Sequence, residues 1–445
     1  MDVRLPYSRQ KRYLTGMDWV VAALDRMTRR AGGFGNASQI VLELKGPCCE
    51  AALRGALRSL AVEMPVLHGR PARDWNLAPY WRMPPAHARR PLRLEVRELG
   101  VAPSAREVSS ALAGTVNCRF AHDREHVAFH LFHGGADEHY LVMTFDHRLF
   151  DAGGAEAFLG LVQSRQFGDC ADRLSRLAGT EPAHLAAWKR KFDAGKLLVR
   201  TVRALTGAKP RILPRPAGRA RSPFRFSVVR FSPERSAAIL DAAYAKSGYL
   251  LVMPYALSAA VVLLDRIFRA RGIAGTDYIV SVSVDTRTPR TAEADLFFNH
   301  VSFFFFRIEA GCVGDRPRLL WSLRQQMYEQ VKSGFPQALA ESSMLMRIVP
   351  LSLLGRLMRL PLRGEFASFG FAHIGKTAFT FPQFMGADVV NLFHMPLVPV
   401  PPGIGVVVNQ FGQRMNAVLS YFDDMLTDAE ASAFEEDAAR VFAEA

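Results

Sequence analysis

The chain has 445 residues, with 56 Lys and Arg against 42 Asp and Glu, a formal charge of +14, and 49% apolar residues. That make-up buries a large core and excludes an intrinsically disordered chain; at this length two lobes of roughly 150 to 220 residues are expected in place of a single core. Five cysteines (Cys48, Cys49, Cys118, Cys170, Cys312) form an odd set with no C-x-x-C pair, which argues against a disulfide framework or a zinc knuckle and for a reducing compartment.

The first residues are charged, broken by Pro6, and lack an apolar h-region, so a cytoplasmic location is expected. Ile40 to Leu44 reads as a buried strand, and Cys49 to Glu63 as an amphipathic helix with Leu53, Leu57 and Leu60 on one face. Val127 to His133 and Tyr140 to Phe145 are the arms of a hairpin turned at Gly134-Gly135. Between residues 186 and 225 twelve basic residues face Asp193 as the one acid, first in a helix (HLAAWKRKFDAGKLLVRTVRAL) and then in a Pro/Arg-rich stretch that looks like a join between lobes.

Beyond the join the alternation resumes. A strand at Phe226 to Phe231 is followed by helices at Pro233 to Lys246 and Pro254 to Arg269, and by a strand at Asp277 to Val284. Val301 to Ile308 holds four consecutive Phe and reads as core more than as a substrate box. A helix at Arg318 to Lys332, strands at Ile404 to Val408 and Ala417 to Tyr421, and a closing helix at Asp428 to Phe442 complete the pattern. The uncharged stretch Val389 to Gln413 is long enough to cross a bilayer, but Pro396, Pro399, Pro401 and Pro402 do not fit one spanning helix, so it reads as core strands and a loop. The expectation is a mixed α+β chain: one lobe over residues 1–185, a basic helix and linker over 186–225, and a second lobe over 226–445.

No phosphate-cradling, dinucleotide, zincin or serine-elbow motif is present, and no bound cofactor or metal is expected. Histidine remains. Two pairs have the spacing H-x-x-x-D: His133/Asp137 lies across the hairpin turn and reads as structural. His147/Asp151 follows the apolar strand YLVMTF and precedes Gly153-Gly154 and a helix, where a strand end and a tight turn can hold a reactive side chain on a rigid scaffold.

Asp146-His147-Arg148-Leu149-Phe150-Asp151-Ala152-Gly153 resembles the H-H-x-x-x-D-G motif of the condensation-domain and coenzyme-A-dependent acyltransferase superfamily, with Asp146 in place of the first His and Ala152 in place of the final Gly. Weaker segments match in order: Leu14 to Asp18, Met64 to Arg70, Val282 to Arg287, Leu296 to Asn299, and Val406 to Tyr421 with its following FDDMLT. The resemblance implies two chloramphenicol-acetyltransferase-like lobes forming a V with a tunnel between them. It implies an acyl donor on coenzyme A or a phosphopantetheinyl carrier protein, an alcohol or amine acceptor, and His147 as the general base, a role suited to an imidazole of unperturbed pKa about 6.5. Asp151 is implied to support the loop by pairing with an arginine, with Arg287 and Arg70 both open. Gly153, Gly154, Asn299 and Ser302 are expected to line the substrate passage, with Asn409 and Ser420 as lesser candidates on a late strand.

The basic segment has three readings: attraction of coenzyme A phosphates or an acidic carrier protein, contact with an anionic membrane surface, or a solvated linker. A lipid acyltransferase at a membrane and an inactive carrier-binding scaffold are the alternative functions. No nucleic-acid module is recognisable.

Overall fold

The computed structural model describes residues 11–32, 34–100, 103–135, 137–164, 187–215, 223–247, 252–287 and 296–444. Arg219, Arg221 and Cys170 lie outside them. The first half supplies strands β1 (Lys11–Tyr13), β2 (Ala37–Lys45), β3 (Arg70–Arg73), β4 (Pro79–Arg82), β5 (Arg93–Glu98), β6 (Val127–His133) and β7 (Glu138–Asp146). Its helices are α1 (Gly16–Gly32), α2 (Glu50–Glu63), α3 (Ala105–Val116) and α4 (Ala152–Ser164). The second half adds β8 (Phe224–Arg230), β9 (Asp277–Asp285), β10 (Val301–Glu309), β11 (Phe369–Lys376), β12 (Gln383–Phe384), β13 (Ala387–Pro396), β14 (Ile404–Phe411) and β15 (Arg414–Phe422).

Two six-stranded sheets carry the architecture, in the orders β12-β13-β2-β7-β6-β5 and β10-β9-β11-β14-β15-β8, with a small β1-β4-β3 sheet beside them. The β6–β7 hairpin pairs Val127 with Phe145 through to His133 with His139. Its turn uses Gly135 at φ 92°, a backbone region that glycine enters without strain. Buried on both faces at Ile40, Val41 and Leu42, β2 reads as an apolar run because it is a central strand. Alternation decides the four phenylalanines of β10: Phe304 and Phe306 enter the core, while Phe303 and Phe305 are half-buried on the other face.

The division at residue 226 is not clean. Strands β12 and β13 come from the second half but lie in the first half's sheet, where β13 pairs antiparallel with β2. The strand crosses because its middle is apolar and fully buried at Leu392 and Phe393, one on each face of a sheet with room for it. Asparagines hold the crossing point: Asn391 and Asn416 exchange side-chain hydrogen bonds of 2.9 and 3.1 Å, and Asn409 and Asn416 both donate to the Leu392 carbonyl. Asn409 is thus a buried joint residue and Ser420 is fully buried, so neither lines an open passage. The basic helix forms at Trp188–Thr206, but the stretch after it is no free linker: Arg211 N donates to Asp277 O at 2.8 Å and Arg215 pairs with Glu365 at 2.9 Å. Among the described residues no single helix is long and apolar enough to cross a membrane.

Candidate active site

Strand β7 delivers the H-x-x-x-D loop. At its end His147 N donates to Asn36 O, and Leu149 N and Phe150 N both donate to Asp146 O. Leu149 and Phe150 are fully buried, so two apolar anchors fix the turn while the intervening geometry leaves His147 half-buried.

Residues 296–300 of the second half dock on this loop. Phe298 N donates to Leu149 O, and Phe150 and Phe298 form an isolated parallel bridge. Phe298 takes φ 73°, a conformation costly for a bulky residue. It is held there by full burial between the Arg12 guanidinium, 3.6 Å from its ring centre, and the edge-on indole of Trp81.

Asn299 is thereby set against His147. Its backbone N donates to Asp18 Oδ1 at 3.1 Å, and Asp18 is itself fixed by Arg12 at 2.8 Å. The Asn299 side-chain amide donates to the His147 carbonyl at 2.9 Å, which orients the group and leaves Oδ1 facing His147 Nδ1 at 3.2 Å. An amide oxygen only accepts, so in the neutral ring Nδ1 carries the proton and Nε2 the lone pair. Among the described residues Nε2 has no protein partner. Asn299, expected to line the passage, is instead the residue that sets the tautomer of the imidazole.

Asp151 turns away from His147. Its carboxylate accepts from Arg287 Nη2 at 2.8 Å, from Gly154 N at 2.9 Å and from His300 N at 2.8 Å. Arg287 and not Arg70 is therefore its partner; Arg70 sits exposed on β3, 3.7 Å from Asp123. Burial alone would lower the Arg287 pKa, but Asp151 and Asp285 raise it above the ordinary value. The glycines serve this same junction: a side chain at Gly154 would stand 2.3 Å from the Leu296 carbonyl, whereas one at Gly153 would meet only ordinary contacts at 3.5 Å. Close approach of the Leu296 carbonyl to the start of α4, and not the lining of a passage, is what requires Gly154. Ser302 is fully buried and donates to Pro336 O at 2.7 Å, so it too belongs to packing and not to a passage wall.

Asp146, in the place of the motif's first His, has its own role. It accepts from Arg148 Nε at 3.0 Å, from Arg148 N at 2.9 Å and from His126, whose other ring nitrogen faces the Gly69 carbonyl. Burial pushes its pKa up, but the Arg148 charge and the hydrogen bonds of His126 and Arg148 prevail and hold it well below the usual carboxylate range. His126 and Arg148 carry no spacing signal that would have singled them out. A buried pair, Glu156 with His394 at 2.7 Å, similarly ties α4 to the crossing strand β13.

Asp146→Asn is expected to lose about 3 kcal/mol of stability at neutral pH, because Arg148 and His126 are left without their carboxylate. The sign follows from a folded pKa below the unfolded one: the carboxylate's contribution is fully present above about pH 4 and is lost as pH falls through the folded value. Urea unfolding of both proteins should show a constant gap from pH 5 to 8 that narrows below about pH 4; a gap that widens in acid contradicts this.

No protein-family model and no curated protein sequence matches the chain. Solved structures do, over nearly all of it. The first condensation domain of the calcium-dependent antibiotic synthetase, in complex with a substrate analogue, is 17% identical with TM-score 0.68, over 98% of this chain and 96% of that one. Trichothecene 15-O-acetyltransferase from Fusarium sporotrichioides is 14% identical with TM-score 0.68, over 97% and 95%. The starter condensation domain of rhizomide synthetase, in complex with C8-CoA and Leu-SNAC, is 12% identical with TM-score 0.63, over 98% and 94%. These superpositions agree over nearly the whole chain: it has the fold shared by these condensation domains and the acetyltransferase.

Proposed function

We propose that the protein transfers an acyl group from a thioester of coenzyme A or a carrier protein to an alcohol or amine, with His147 as general base. The observation that carries this reading is the Asn299 contact, which leaves Nε2 without a partner among the described residues, where residues 296–300 dock on the His147 loop. Nε2 takes the proton as the acceptor's oxygen or nitrogen attacks the thioester carbonyl. The tetrahedral adduct then collapses, the C–S bond breaks, and the imidazolium returns its proton to the departing thiolate. The fold is shared with condensation domains and an acetyltransferase, one of them crystallised with C8-CoA and Leu-SNAC, which supports a thioester donor.

The test is thiol release from acyl-coenzyme A and acyl-carrier donors against a panel of alcohols and amines, with the product identified by mass. Release that needs both protein and acceptor, with a product equal to acyl plus acceptor, is expected; transfer unchanged in His147→Ala removes the reading.

As a positioning residue, Asn299 has a distinct signature. Asn299→Leu should lower kcat by about 10² while leaving KM nearly constant, since the imidazole loses its orientation and not its substrate contacts. Asn299→Asp keeps an acceptor for Nδ1 but loses the donor to the His147 carbonyl, so it should lose less kcat than Asn299→Leu; a larger loss in the Asp variant than in the Leu variant contradicts the tautomer role.

A further inference from the structure

Away from His147, a cavity of about 200 Å³ is walled by five arginines from three distant parts of the chain: Arg26 and Arg30 of α1, Arg215 of the join, and Arg356 and Arg359 of helix Leu351–Arg359. Arg215 has Glu365 as partner at 2.9 Å, and Glu365 also feels the charge of Arg359. Among the described residues Arg26, Arg30, Arg356 and Arg359 make no ion pair, and the Nε of Arg359 is buried without a hydrogen-bond partner.

The ordinary explanation for such arginines is a helix C-terminus, and Arg30, Arg356 and Arg359 do sit in last turns. It does not suffice. Two helix ends supply about half a negative charge each and Glu365 one more, against five guanidiniums, leaving a surplus of about three positive charges around one cavity. Like charges at this density repel unless an anion joins them. Guanidinium forks match phosphate oxygens in pairs, and a cavity of this size holds more than a single carboxylate. The walls belong to both halves, since Val400, which also lines the cavity, donates its N to Thr28 Oγ1 of α1.

We propose that this cavity is a binding site for the phosphate groups of a phosphate ester, separate from the acyl-transfer chemistry and standing whether or not that reading holds. Two sources share this chemistry. One is a soluble ester such as coenzyme A. The other is a phospholipid headgroup, for which Leu353 and Leu357 of the same helix and Leu360 at its C-cap, exposed by 46%, 48% and 74%, would supply apolar contact.

Inorganic pyrophosphate is the first probe, titrated calorimetrically into the full chain. Saturable binding is expected, together with a rise in Tm, and the double variant Arg30→Ser/Arg356→Ser should bind at least tenfold more weakly. Both side chains are exposed and their removal relieves like-charge repulsion, so the ligand-free Tm should hold or rise; the corresponding double Lys variant keeps the charge without the fork and should bind with intermediate affinity. Coenzyme A that displaces pyrophosphate identifies the soluble source. Flotation on vesicles containing phosphatidylglycerol but not on pure phosphatidylcholine, lost in the Ser variant, identifies the lipid. Absence of saturable pyrophosphate binding, or equal binding by the Ser variant, overturns the site.

Discussion

His147→Ala is expected to reduce thioester-dependent transfer by about 10³-fold, the middle of the range that a positioned general base supplies, while leaving the protein folded. The loss should fall on kcat more than on KM, because the proton moves only as the transition state forms. Stability should hardly change for a structural reason. The imidazole contributes one hydrogen bond, to Asn299 at 3.2 Å, whereas the loop is held by main-chain groups that alanine keeps: His147 N on Asn36 O, and the His147 carbonyl under the Asn299 amide. A single such side-chain bond is worth about 1 kcal/mol. Near-normal urea unfolding with lost thiol release is therefore the expected pair of results. An enzyme that keeps more than a tenth of its turnover without this imidazole has another base.

The loop itself was legible because local and tertiary demands coincide there: an apolar strand, a His, two buried anchors and a glycine-rich turn lie within one short run. The hairpin before it was legible for the same reason. What separated Arg287 from Arg70 was not. Both lie in segments that match the resemblance, and the docking of residues 296–300 on Leu149 and Phe150 is what brings Arg287 to Asp151. Gly154 shows how a correct residue acquires the wrong reason: its smallness is visible in the chain, but the carbonyl it must clear, that of Leu296, lies 142 positions on. Asp146 looked like a defect in the motif, yet it is the hub of an ion network whose other members, His126 and Arg148, have no periodicity to announce them. The crossing of β13 and the five-arginine cavity are likewise products of long-range packing, in segments where composition suggested only a core run and scattered charge.

Asp151→Asn should show the opposite profile to His147→Ala, with stability and activity falling together. The carboxylate and Arg287 are almost wholly buried, at 2% and 5% side-chain exposure, and loss of the carboxylate leaves the guanidinium to Asp285, 54% exposed and 3.2 Å away, so the cost falls below that of a fully stranded buried charge, at about 2 kcal/mol. Asparagine can still accept from one of Gly154 N and His300 N, but it cannot neutralise the guanidinium. The activity loss follows through geometry: Asp151 clamps the His147 loop to the start of the β10 segment, so loosening it moves the imidazole relative to Asn299, and displacements near 1 Å cost about 10² in rate. Arg287→Leu should reproduce both effects. In the Asp151→Asn/Arg287→Leu double variant no charge is stranded, so the stability loss should be smaller than the sum of the singles by at least about 1 kcal/mol. Urea unfolding of the four proteins measures that coupling. If Asp151→Asn loses turnover with unchanged unfolding, Asp151 acts on the reacting atoms and is not the support of the loop that carries His147.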